Sequence, residues 1–139
     1  MRVINKIRKS RKRDYLDALC RFFISATQAN LTNFDVVIYT QTGFQKKTGA
    51  AAATGFNLEE DTIEVIFDSQ LTGKELLMAA AHEFVHVRQL AFGELCYRGK
   101  TPYWNGKQAG HYTYENMPWE IEAYQEMIPL IKQIVEIST

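Results

Sequence analysis

The chain has little of what builds disulfide-stapled, membrane-spanning or fibrous proteins. Its 139 residues hold only two cysteines, Cys20 and Cys96. They lie far apart in no paired spacing, so two reduced thiols are expected and neither is a zinc-ligand candidate. No apolar run approaches the roughly 20 residues that cross a bilayer. The basic N-terminus lacks the apolar stretch and small-residue cleavage site of a secretory signal. The expectation is a cytoplasmic protein with no membrane partner. Internal repeats, low-complexity tracts and nucleic-acid-binding signatures are absent too. Histidine is scarce, at three residues: His82, His86 and His111.

At 46% hydrophobic and 23% charged, the composition is that of one ordinary globular domain. Net charge is zero but unevenly spread. Residues 1–13 carry seven basic side chains and no acid; the other 126 carry 9 basic and 16 acidic ones, a balance of −7. We therefore divide the chain into a basic arm, residues 1–13, and a single domain, residues 14–139. The arm reads as a solvated lead-in to the first helix, with an electrostatic handle for nucleic acid as the alternative.

Hydrophobic periodicity predicts a helix over residues 14–28, where Leu16, Leu19, Cys20 and Phe23 recur at helical spacing. Strands are expected at residues 36–40, 50–56 and 62–67; in the last, Ile63, Val65 and Phe67 alternate with Thr62, Glu64 and Ile66. Residues 43–49 read as a turn. Thr72 and Glu75 form a capping-box pattern that opens a helix over residues 76–92, apolar nearly all round and hence buried. A hairpin, residues 95–98 against 101–104, sits in a loop-rich stretch. Asn116 is a plausible cap for a last helix from Pro118 toward Val135, with Pro129 inside it. The expected class is α+β: an N-terminal helix, a small mostly antiparallel sheet of three or four strands, the buried helix, the hairpin and the C-terminal helix.

The buried helix carries His82, Glu83 and His86, with Arg88 and Gln89 just beyond. Residues four apart stack on one helical face, so the two imidazoles can share one zinc ion. Glu83, next around the helix, can reach a water there and act as general base without ligating. A third protein ligand is needed, and three candidates exist: His111, Glu120 and Glu122. The two glutamates lie about 200° apart around a helix and cannot both face the metal. Glu122 is preferred because Glu126 shares its face and could accept the free N–H of a ligating histidine. Ile121, Tyr124, Ile128, Ile131 and Val135 would then form the core-facing stripe. His111, Tyr112 and Tyr114, in the preceding loop, are candidate oxyanion stabilisers.

The segments HEFVHVRQ (82–89) and PWEIEAY (118–124) resemble the gluzincin group of metallopeptidases and small metallopeptidase-like proteins encoded by bacteriophages. That resemblance spans about residues 62–128. It implies zinc held by His82, His86 and Glu122, Glu83 as general base, and an acid four residues after the third ligand, here Glu126. It also implies hydrolysis of peptide bonds, with an extended peptide bound along the strand before the zinc helix, residues 62–67, as a sheet edge. A phage-encoded chain would work in the host cytoplasm or the virion. The rival reading is a silent zinc-binding structural or assembly protein on the same fold.

Overall fold

The computed structural model describes residues 1–138. A four-stranded sheet is built from β1 (Val3–Asn5), β2 (Asp35–Gln41), β3 (Ala52–Asn57) and β4 (Thr62–Asp68), in the order β1-β2-β4-β3. Helices α1 (Arg11–Ala26) and α3 (Gly73–Ala91) pack on it, and α4 (Pro118–Ser138) packs on α3. A five-residue helix, α2 (Phe44–Thr48), replaces the turn expected at residues 43–49. It lies between Gly43 and Gly49, whose left-handed φ values of 75° and 83° bracket it. The predicted hairpin is present as β5 (Leu95–Arg98) and β6 (Thr101–Trp104), extended by β7 (Lys107–Gln108).

The α+β class holds, while two expectations about the sheet do not. In the four-stranded sheet β1–β2 and β2–β4 are parallel, and only β3–β4 is antiparallel. The strand at residues 62–67 is not an edge: β4 lies between β2 and β3, and β3 is the free edge beside α3. A strand buried on its helix-facing side through Ile63, Val65 and Phe67 gains more from two neighbours than from one. The basic arm is also partly ordered. Val3–Asn5 pairs with β2, Arg2 bonds Asp35 at 2.8 Å, and Ser10 caps α1 by accepting from Arg13 N at 3.1 Å.

The core lies between sheet and helices. Leu16, Phe23, Ile38, Ile63, Val65, Phe67, Leu76 and Phe84 are all almost fully buried, and Ala123, Met127 and Leu130 close it from α4. A small satellite joins Leu95, Ala109 and Trp119, with Trp104 centred 6.1 Å from Trp119. Cys20 and Cys96 are free thiols. Phe84 stands on α3 between the two histidines and packs on Phe23. Phe84→Ala is expected to cost about 3–5 kcal/mol by leaving a cavity, read as a lower urea midpoint at unchanged slope.

The helix starts differ from expectation. Thr72 occupies the N-cap of α3, but its side chain makes no capping bond; Gly73 enters the helix at φ 54°, a geometry foreign to a capping box. Asn116 ends a 3-10 turn and bonds Thr113, while α4 begins on the Met117 carbonyl, which accepts from Glu120 N and Ile121 N. The stripe Ile121, Tyr124, Ile128 and Val135 is exposed. The core-facing residues of α4 are Trp119, Ala123, Met127 and Leu130, so the helix is rotated from the expected orientation.

Candidate metal centre

Helix α3 is buried along the stretch that matters: His82, Glu83, His86 and Gln89 are all below a tenth exposed. Burying four polar side chains in an apolar helix is costly unless each finds a partner. Those partners define the site.

The rotation of α4 brings Glu120 to the histidines. One carboxylate oxygen, Oε1, lies 3.0 Å from His82 Nε2 and 3.1 Å from His86 Nε2. Glu122 points elsewhere. Its Oε1 accepts from Gln89 Nε2 at 3.0 Å and from Arg88 Nη2. The expectation that Glu122 completes the histidine pair is therefore corrected to Glu120. Glu126 accepts no histidine N–H either, because it is bound to Arg88 Nη1. Arg88, which also bonds Glu94 at 3.1 Å, ties the end of α3 to α4 and fixes the rotation that presents Glu120.

Gln89 settles the protonation of His86. Its Nε2 donates to two groups that only accept, the Trp119 carbonyl at 3.0 Å and the Glu122 carboxylate. The amide oxygen is thereby left facing His86 Nδ1 at 2.8 Å. An amide oxygen only accepts, so Nδ1 carries the proton. In the neutral ring Nε2 then presents a lone pair to the Glu120 carboxylate. Two electron-rich atoms at 3.1 Å call for a positive charge between or upon them, either a proton or a metal ion. The ligand atoms of His82, His86 and Glu120 all lie within 4.8 Å of one another, so these residues could hold a metal ion. Their 3.0 and 3.1 Å separations are close to the ~3.3 Å edge of a tetrahedral site with bonds of about 2.0–2.1 Å.

Electrostatics agree with a site built to hold charge. Burial alone would raise the Glu120 carboxyl, but hydrogen bonds from His82 and from the protonated form of the His86 ring outweigh it and hold the pKa at about 2. Burial pulls His86 down, and the bond to Glu120 with the charges of Glu120 and Glu83 more than restores it, so His86 is raised. Burial pushes Glu83 up from the ordinary carboxylate range, against the opposing pull of the two histidines and a bond from Thr54. The Thr54 hydroxyl, on β3, donates to Glu83 Oε1 at 2.9 Å and fixes the carboxylate.

A cleft of about 790 Å³ opens onto His82 and Glu83. It runs between Ala50–Ala52, at the start of the free edge strand, and Tyr114 and Tyr124. Tyr124 packs on the His82 ring at 4.5 Å. Tyr114 therefore sits at the site as expected, and its hydroxyl is raised by burial and by a hydrogen bond with Tyr124. His111 and Tyr112 stack on each other at 4.2 Å, exposed and outside the cleft lining. Thr54 gives no signal in the sequence, since it lies far from the motif and only the tertiary fold brings it to Glu83. Tyr124 closes the PWEIEAY segment, one turn after Glu120, but was expected to face the core; the rotation of α4 turns it onto His82 instead. Gln89 was visible as a polar interruption of the buried helix, and its role follows from that.

Gln89→Leu is expected to weaken metal binding about 10- to 100-fold, the usual effect of losing an outer partner of a ligating histidine. A chelator competition titration measures it. Compared with family models, curated proteins and solved structures, the chain matches none.

Proposed function

We propose that the protein is a zinc-dependent peptidase whose metal is held by His82, His86 and Glu120. The observation that carries this reading is the convergence of two imidazole nitrogens and one carboxylate beside a second carboxylate, Glu83, that does not converge with them, at the head of an open cleft. Two nitrogens and one oxygen suit zinc, and three protein ligands leave room for a reactant, whereas structural zinc sites commonly use four. That count favours catalysis over a silent structural site.

Zinc bound there would supply Lewis-acid activation of a water and of the substrate carbonyl. Everything else belongs to the chain. Glu83, held by Thr54 and made more basic than an ordinary carboxylate by burial, is the group to take a proton from the water and return it to the leaving amine. Tyr114 and Tyr124 offer hydroxyls on the opposite wall, where developing negative charge on the carbonyl oxygen needs a donor. An extended peptide fits along β3. Ala51 O accepts from Asp68 N, so in the alternating antiparallel pattern Ala53 and Gly55 face β4 and Ala52 and Thr54 turn backbone groups outward.

The test is zinc-dependent cleavage of a quenched fluorescent peptide library by the full chain, stopped by chelator and restored by zinc. Absence of cleavage across the library by the zinc-loaded chain would count against the reading.

A further inference from the structure

The parallel strands β1, β2 and β4 all end at the same side of the sheet, and the segments that leave them are basic. Lys6, Arg8, Lys9 and Arg11 follow β1; Lys46 and Lys47 follow β2, on α2; Lys74 follows β4, in the first turn of α3. All seven are exposed. Hydrogen bonds lock the three segments together: Lys12 Nζ donates to Ser69 O at 2.5 Å, Ser69 N to Gln41 O at 3.1 Å, and Ser69 Oγ to Thr42 Oγ1 at 3.1 Å. The sequence showed a basic arm of uncertain order. The fold instead makes one continuous basic end, joining that arm to three lysines from 35 and more residues away.

Among the described residues none of these seven cations has an ion pair. Asp68, at the end of β4, is buried and occupied by the backbone N–H groups of Gln45 and Gln70. Two exposed acids, Asp14 and Glu75, stand among the seven cations, a balance of +5; four acids stand at the opposite end, about 20 Å away along the strands: Glu59, Glu60 and Asp61 in the β3–β4 turn and Asp35 at the start of β2. A chain of zero net charge thus carries a net positive end.

We infer that this basic end binds the sugar–phosphate backbone of double-stranded nucleic acid without regard to sequence. The nearby cleft argues against an acidic peptide as the ligand, since no lysine or arginine lines it and its acids are Glu75 and Glu83. The cations serve something lying outside the cleft. They are spread over three segments, and of the seven only Lys46 lines the small hollow there, beside Asp68 and Glu75; the other six stand on open surface, as phosphate contacts do. Phe44 is the only aromatic residue in those segments and it is buried, so the stacking platform of a single-strand binder is missing. The inference is independent of the metal centre.

The experiment is fluorescence anisotropy of a labelled duplex of about 20 base pairs with the full chain, across a salt series. Two unrelated sequences are expected to bind alike, with log K falling against log salt at a slope of about −5, for five or six phosphates neutralised. The combined variant Lys46→Glu, Lys47→Glu, Lys74→Glu is expected to bind at least ~100-fold more weakly with a slope flatter by about 3. A matched reversal at Lys100, Lys107 and Lys132, on the small sheet and α4, should bind like the parent. Circular dichroism establishes that both variants are folded. The inference is overturned by no binding at ~50 mM salt or by equal losses in the two variants. It is also overturned by a polyglutamate peptide that competes as well as the duplex at equal charge, which would assign the surface to an acidic protein segment.

Discussion

Glu120→Ala is expected to strip the metal from the protein, while Glu122→Ala is expected to leave it bound. Glu120 Oε1 stands against the Nε2 atoms of both histidines, and its removal would leave two imidazoles with no converging anion to balance an ion. Losing an outer partner costs about 10- to 100-fold in affinity, so losing a ligand should cost more than ~100-fold. Glu122 acts one step further out: it orients Gln89, which orients His86. Its alanine variant belongs at the lower end of that range, about tenfold. The pair of variants is compared by elemental analysis after purification and by chelator competition. The reverse ranking would mean that α4 is turned the other way in solution.

Glu83→Gln is expected to lower kcat by about 10²- to 10⁴-fold while zinc content stays unchanged. The substitution keeps the size of the side chain and a hydrogen-bonding partner for Thr54, and removes only the ability to take a proton. Glu83 is not among the converging ligand atoms, so metal affinity has no reason to fall. A silent structural zinc protein would show no change in any activity, having none. A drop in both zinc and turnover would instead place Glu83 among the ligands.

The helix that carries the two histidines was legible because it contradicts its own surroundings. Residues 76–92 read as buried throughout, so His82, Glu83, His86, Arg88 and Gln89 each demanded a partner, and each has one. The third member of the candidate metal group was misread because α4 carries two apolar stripes. Residues 121, 124, 128, 131 and 135 form one; residues 119, 123, 127, 130 and 134 form another at equally good helical spacing. Within α4 nothing chooses between them. The choice is made by α3, where Arg88 takes Glu122 and Glu126 and so rotates Glu120 inward. The sheet was harder still. A three-residue strand such as Val3–Asn5, inside a basic arm, has no periodicity to display, and it is held by pairing with a strand more than 30 residues away. Missing it also hid the parallel pairing and the true edge strand, and with them the role of Thr54.

The most direct measurement is metal content of the full chain purified without added metal. The account predicts about one zinc per folded chain, released by chelator and recovered on adding zinc. A folded chain that holds no metal and takes up none from micromolar zinc would contradict it.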